Sequence, residues 1–553
     1  MSIRHIPLLF LALCLTPGTQ SFAEEESSRA QIQQWIQQLG DDSFLLRQRA
    51  ESLLIRAGIQ AYPDLQRAKQ NRDIEVARRA EVILSQIEQT FLDSESRSIA
   101  FWVQQYMVAP NPAFKARIIW ILANPTLDLR KGEGVPMLCR LVRFEGNAAL
   151  RLEAAKNLIA SPPLILAQRQ KWYRYIRDNL HDSVDDELLQ CVARYAKLWC
   201  ELDAADEKTT AAFQKQVRQA ATETLRLLEK PENGILPGSG VDILLRYAVA
   251  ELQDAVSLTE DRDKVIAAAL AVPADTTRET ELNLFVGLED ELPVNEHYYA
   301  GQCLRWRYRF HWALTHFQKV IDSGHIFSRV DACEEAAEIA LYLLDYSSAA
   351  GFFDKQIEIL KSPDYTGNSA PLIARAQKRW AYSLAEKAAV EENWVSAREA
   401  VMQALTASHA KIEVEDIDLV ILAHRVCKYH SEIDPEFRDK KEQILKQVWQ
   451  SIVNDYHSIS ELRLEKFPMT CNSAAWLLAN TDGDFQSALT LVEAALKSAP
   501  DDASIMDTLA HVYYLGGRFE EAVSVQERVV RIAPEAVVFH HALERFKQAK
   551  DDE

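Results

Sequence analysis

Gly483-Asp484-Phe485-Gln486-Ser487-Ala488, continuing to Ala499-Pro500, returns in form as Gly517-Arg518-Phe519-Glu520-Glu521-Ala522, continuing to Ala533-Pro534. The glycine, the aromatic ring, the alanine and the proline each recur 34 residues on. Glycine interrupts one helix, the aromatic residue and alanine open the next, and proline follows where that helix must stop. A unit of this length holds two antiparallel helices and cannot bury its apolar faces alone, so copies must stack. The chain is therefore read as a row of helical hairpins.

Working back from that stretch, the aromatic-x-x-alanine pair recurs as Phe310/Ala313, Tyr346/Ala349 and Trp394/Ala397. Phe317 and Phe353 follow the first two alanines by four residues, and Gly301 lies twelve before Ala313. Together these residues resemble tetratricopeptide repeats over 294–409 and 469–536, with 410–468 a helical pair lacking the signature. In the last unit Leu509, Ala510, Tyr513, Ala522 and Pro534 stand where the family has Leu, Gly, Tyr, Ala and Pro. Met506 and Gln526 depart from its Trp and Phe, and Trp476 stands where a small residue is usual. The resemblance implies right-handed superhelical stacking with Ala488 and Ala522 buried at helix crossings. It also implies that first-helix residues face a concave, partner-binding surface: Ser473, Leu477 and Asn480, then Asp507, His511 and Tyr514.

A shorter echo runs through the first part of the chain. Arg49-Ala50-Glu51 before Leu53-Leu54 returns thirty residues on as Arg79-Ala80-Glu81 before Ile83-Leu84, each after an acid, Asp42 or Asp73. Leu150-Arg151-Leu152-Glu153-Ala154-Ala155 is a third copy. The pattern resembles HEAT-like repeats and is assigned to 24–230. Residues 231–293 read as linker and helical connector, with a hinge from Pro231 to Gly240 and a break from Pro273 to Thr277. Residues 537–553 read as a C-terminal helix and tail. The expected fold is all-α: an α-solenoid of HEAT-like repeats followed by tetratricopeptide-type hairpins.

The N-terminus reads as an address. Arg4 and His5 precede the apolar run Ile6–Leu15, and Ser21-Phe22-Ala23 has the small residues of a cleavage site, so 1–23 is expected to be a signal peptide. Ten apolar residues are too few to span a bilayer. The mature protein is expected to be periplasmic or extracellular, with no membrane span. Loss of Arg4 moves the net charge from −19 to −20, which disfavours nucleic acid as a partner. Eight cysteines become seven without Cys14, scattered and with no C-x-x-C pair, so neither a disulfide framework nor a zinc site is expected.

Chemistry is sparse. There is no H-E-x-x-H, Gly-Lys-Ser/Thr phosphate loop or G-x-S-x-G, and Ser239 between two glycines sits in the hinge rather than after a strand. Thr481-Asp482-Gly483-Asp484 lacks the further carboxylates of a calcium loop. His311 and His316, five apart, point away from each other, and His297, His316 and His325 read as solvated or helix-terminal. No catalytic residue, metal or cofactor is expected. The unusual cluster is Arg305-Trp306-Arg307-Tyr308-Arg309-Phe310: either a turn whose arginines pair with Glu334 or Glu335, or a place where Arg305, Trp306, Arg307 and Arg309 hold an anionic ligand. The leading reading is a non-catalytic exported scaffold that binds proteins or peptides on a concave face. The alternatives are an all-helical lyase or glycosidase, which an open stack without a closed pocket disfavours, and an anionic-ligand or nucleic-acid binder.

Overall fold

The computed structural model of the protein describes residues 29–58, 61–94, 97–109, 111–123, 132–145, 147–160, 166–180, 186–204, 210–228, 240–272, 296–406, 416–429, 435–460, 468–481 and 483–552. The expected signal peptide, Ser239, Asp482, residues 231–239 of the hinge and the break at 273–277 lie outside them. The described residues contain helices and no strand. In chain order the α-helices are α1 (Arg29–Gln38), α2 (Phe44–Ala57), α3 (Tyr62–Ala68), α4 (Ile74–Ser94), α5 (Arg97–Val108), α6 (Pro112–Ala123), α7 (Val135–Phe144), α8 (Ala148–Ala160), α9 (Leu166–Leu180), α10 (Glu187–Ala204), α11 (Ala211–Leu225), α12 (Gly240–Ala255) and α13 (Thr259–Leu270). They continue as α14 (Glu296–Trp306), α15 (Phe310–Ser323), α16 (Ile326–Tyr342), α17 (Tyr346–Leu360), α18 (Ser369–Val390), α19 (Trp394–Thr406), α20 (Ile417–Tyr429), α21 (Pro435–Ser460), α22 (Pro468–Asn480), α23 (Phe485–Ser498), α24 (Ala503–Leu515), α25 (Phe519–Ile532) and α26 (Val537–Asp551).

The chain divides into two compact units, Met1–Glu95 and Ser96–Glu553. In the first, the repeated Arg-Ala-Glu triplets explain the packing: Ala50, Leu54, Ala80 and Ile83 are wholly buried between helices, where the small alanines let the backbones approach. Arg79 ties the two copies together, donating to Glu51 at 2.9 Å and to Glu75 at 2.6 Å.

The second unit runs through the expected hinge without dividing there. Lys156 of α8 reaches Asp242 of α12 at 2.9 Å with both residues buried, and the Tyr195 hydroxyl of α10 donates to the Ala248 carbonyl at 2.8 Å. Removing either contact strands a buried polar group, so α8, α10 and α12 belong to one body. Beyond it, α14/α15, α16/α17, α18/α19, α22/α23 and α24/α25 pack as hairpins on their neighbours. Ala313, Ala349, Ala397, Ala488 and Ala522 are all wholly buried. Gly301 is set by close approach: a Cβ there would lie 2.7 Å from the Phe317 ring.

One backbone device recurs at the turns inside these hairpins. Tyr308, Leu344, Glu392 and Gly517 have φ of 57°, 56°, 56° and 68°, each two residues before the aromatic residue that opens the second helix. The following N–H bonds back across the turn, as Arg309 to Leu304, Asp345 to Ala340, Asn393 to Ala388 and Arg518 to Tyr513, closing a Schellman motif. Ser257, at φ 60°, makes the same turn between α12 and α13, with Leu258 N–H bonded to Gln253. The helical connector is thus built like a repeat, although its sequence lacks the aromatic-x-x-alanine signature.

The junction of α12–α13 with α14–α15 holds a buried histidine pair rather than solvated ones. His297 and His316 are wholly buried with their Nδ1 atoms 2.6 Å apart. Val272 carbonyl, 2.8 Å from His297 Nε2, can only accept, so His297 donates there and accepts at Nδ1. His316 then donates from Nδ1 and accepts at Nε2 from the Tyr247 hydroxyl at 2.7 Å. In this relay both rings are neutral and every nitrogen is used. Burial holds both below the usual histidine range, with Lys319 adding repulsion and His297 adding to that on His316.

Two predictions follow from local geometry. A non-glycine residue in the left-handed region is strained by roughly 1–2 kcal/mol. Glu392→Gly, at an exposed turn, is expected to raise stability by up to about 1 kcal/mol, and Gly517→Ala to lower it by about as much, in denaturant melts. Because both histidines are lowered on folding, their contribution is complete above the unfolded value near 6.5 and is lost as pH falls below it. The wild-type melting temperature should therefore drop more steeply from pH 7 to pH 5 than that of His297→Gln/His316→Gln. The slope, not the absolute melting temperature, is the readout.

Candidate interaction surface

The first helices α14, α16 and α18 turn charged residues into one groove, and this follows from spacing. On α16, Asp331, Glu334, Glu335 and Glu338 fall three and four apart on one side. On α18, Leu372, Arg375, Lys378 and Arg379 do the same. Facing one another, and joined by Tyr298 and Arg305 of α14 and by Asp416 and Asp418 at the start of α20, they line a groove of about 730 Å³. Arg305 pairs with Glu335 and Arg379 with Glu338. Arg375 lies 3.0 Å from Glu334, and Lys378 donates to both oxygens of Asp416 at 2.8 Å.

The polar row continues toward the C-terminus. Asp418 accepts from the Trp476 indole of α22 at 2.9 Å, and burial holds its carboxyl above the usual range against the opposing pull of Arg379. This explains the tryptophan where a small residue was expected: its ring turns inward, 4.6 Å from the His511 ring. His511 Nδ1 lies 3.0 Å from Asn480 Oδ1 and 3.2 Å from the Arg545 guanidinium of α26. Burial, then Arg545, keeps His511 well below its usual range. Gln526 donates to Asp507 at 2.7 Å, and burial pushes the Asp507 carboxyl up to about 7.

The row is not open-ended, as the period alone suggests. Helix α26 returns to α16, with Phe539 against the rings of Tyr308 and Tyr342. Glu535 lies 3.7 Å from Arg309 and 3.1 Å from His311. Tyr308 thus occupies a glycine-type turn position because its ring fills the seam between the first and last units.

Of the residues expected to face a partner, Asn480, Asp507, His511 and Tyr514 come together, Tyr514 stacking 5.0 Å from Phe546 and lying under Arg545 at 5.1 Å. Asp507 and His511 are buried within that cluster, and Ser473 is half-buried on α22. Leu477 corrects the expectation: it is 1% exposed and belongs to the apolar core, because the helix must spend its leucine on packing against α20 and α23. The arginine cluster is corrected as well. Arg305 serves Glu335. Arg307 donates to the Ala160 carbonyl at 2.7 Å and lies 3.5 Å from Glu251. Arg309 lies between Glu251 and Glu535. Three arginines fasten three different elements, which leaves no cationic seat for an anion. Only Trp306, 37% exposed, keeps an open face. Glu251, Asp331, Glu338, Glu535 and Arg545 were not singled out from sequence. The i, i+3, i+4, i+7 acids of α16 were the available signal; Glu251 and Glu535, far away in sequence, gave none.

None of the seven cysteines from Cys139 to Cys471 is in a disulfide among the described residues. Among the described residues no group of three or more His, Cys, Asp or Glu side chains is arranged to hold a metal, and no helix is long and apolar enough to cross a membrane.

Residues 479–548 match the tetratricopeptide-repeat family model, and the described residues as a whole form an all-α row of helical repeats. No curated protein matches it. Among solved structures it is similar to the human IFIT1 dimer with PPP-AAAA, at TM-score 0.23 and 15% identity over 93% of this chain and 97% of that one. It is also similar to the APC/C hetero-tetramer Cut9–Hcn1, at TM-score 0.19 and 13% identity over 83% of this chain and 98% of that one.

The arginines separate by burial. Arg307→Ala strands the Ala160 carbonyl and leaves Glu251 only the more distant Arg309 at 3.6 Å, and is expected to cost about 3 kcal/mol in urea melts. Arg309→Ala, at a more exposed pair, should cost less than about 1 kcal/mol.

Proposed function

We propose that the protein is an exported, non-catalytic scaffold that binds other proteins on the inner face of its C-terminal repeats. The observation that carries this reading is the continuous polar row on α14, α16, α18, α20, α22 and α24, which borders a groove of about 730 Å³. Repeat stacks present such a face to an extended chain or helix, and mixed charge on a rigid frame favours specificity over bulk hydrophobic adhesion. Export rests on the N-terminal pattern of Arg4, the apolar run and Ala23.

A second reading draws on one observation. The groove contains two carboxyls held above the usual range, Asp331 at about 6 and Asp418, as acid catalysis of glycoside cleavage would need. Asp418 is committed to Trp476, which weighs against it. Release of reducing ends from a polysaccharide panel, abolished in Asp331→Asn, would move the assignment to this class.

Cross-linking in the native exported fraction, followed by mass spectrometry, tests the scaffold. The expected result is one or a few recurrent protein partners linked to first-helix residues between 294 and 536, on a chain whose N-terminus is Glu24. Links confined to second-helix surfaces, or to other copies of this chain, would overturn the inner-face assignment. An N-terminus at Met1 would overturn export.

A further inference from the structure

The charge balance of the groove points to the chemistry of its occupant. Six carboxylates face four cations along its walls, and every cation is committed: Arg305 to Glu335, Arg375 to Glu334, Arg379 to Glu338 and Lys378 to Asp416. Of the two acids left over, Asp418 is buried and accepts from Trp476. Asp331 lies in the groove wall, and among the described residues it forms no ion pair. Aromatic and apolar groups share the groove with this carboxylate. Tyr298 of α14 and Tyr365 of the α17–α18 connection both lie within range of its charge, and Tyr365 packs 5.1 Å from Phe327. Pro371 and Leu372 form the adjoining wall. A carboxylate outside the ion pairs, in a groove that also holds a tyrosine ring and an apolar wall, suits a long cationic side chain. Its methylenes cover the apolar groups while its head reaches the acid.

We infer that this groove binds a basic peptide segment of a partner protein, with a lysine or arginine head seated at Asp331. The inference rests on the scaffold reading and names the partner chemistry for the same face. A volume of about 730 Å³ accepts several side chains rather than one ion, and no set of three metal-ligating groups was found among the described residues. Burial, then Glu334 and Glu335 on the same helix, push the Asp331 carboxyl up to about 6. The groups near it on other elements are Tyr298 of α14 and Tyr365, while the groove's Arg305 and Arg375 are held by Glu335 and Glu334. A cationic ligand stabilises the ionised carboxylate, so binding is linked to loss of its proton and strengthens as pH rises through about 6.

The test is fluorescence anisotropy of labelled hexalysine with the full mature chain at about 0.15 M salt, where non-specific attraction to an acidic surface is screened. The control is Glu527→Gln, which removes an equal charge from an exposed site on the outer helix α25. Glu527→Gln should bind within about twofold of wild type, while Asp331→Asn binds at least about tenfold more weakly. Leu372→Lys, which tethers a cation inside the groove, should also block the peptide while retaining the wild-type circular dichroism melt. Wild-type affinity should fall about tenfold from pH 7 to pH 5, from the ionised fraction of a group with pKa near 6, and that dependence should vanish in Asp331→Asn. Equal binding by Asp331→Asn and Glu527→Gln overturns the inference, as does binding of labelled hexaglutamate in place of hexalysine. Protein partners still cross-linked to the inner face while hexalysine fails to bind would remove this inference alone. Loss of both would remove the scaffold reading too.

Discussion

A helical hairpin has two apolar faces and only one internal seam, and the architecture of the second unit follows from that imbalance. Each hairpin is completed by the next, and close approach is possible because the crossing residues are small: Ala313, Ala349, Ala397, Ala488 and Ala522 are wholly buried. Apolar burial at about 25 cal/mol per Å² drives the stacking, but it does not say where the row ends. The last exposed face is closed by α26, which inserts Phe546 and Phe539 and carries the chain back to α16. Termination and return are therefore one event.

Packing sets adjacency, and buried polar contacts set register. Lys156 meets Asp242, Lys378 meets Asp416, and Arg425 meets Glu386, each across a helix–helix interface. Such pairs add little net stability over apolar replacements, yet a mispacked helix would leave one charge stranded at a cost of several kcal/mol. Glu153 shows the same tension: burial raises its carboxyl to about 7 against the pull of Lys156. The neutral relay through Tyr247, His316, His297 and Val272 does equivalent work without charge at the α12–α14 junction. It is therefore the contact that acid would loosen first.

The same division of labour shapes the inner face. Apolar positions of each first helix are used up in stacking, so what remains to face the groove is polar. That is why Leu477, on the expected binding face, went to the core, while Trp476 beside it turned inward to Asp418. Most of the groove's charge is self-paired: Arg305 with Glu335, Arg375 with Glu334, Arg379 with Glu338 and Lys378 with Asp416.

The sequence by itself determined the local and periodic part of this protein. The 34-residue recurrence of Gly483, Phe485, Ala488 and Pro500 dictates hairpins and neighbour stacking, since period and residue size act over one or two turns of helix. The Arg-Ala-Glu echo likewise marked a recurring helical unit, and Glu335 as a partner of Arg305 was within reach one unit away. Tertiary structure alone decided what depends on distant partners: Arg307 on Glu251 and Ala160, Glu535 on Arg309 and His311, His297 against His316, and the α12–α13 pair that turns at Ser257 without the signature. Contacts such as Arg307 with Glu251 and His311 with Glu535, 56 and 224 positions apart, are chosen by the global path of the stack, and that path is the sum of many small crossing angles that no single motif records.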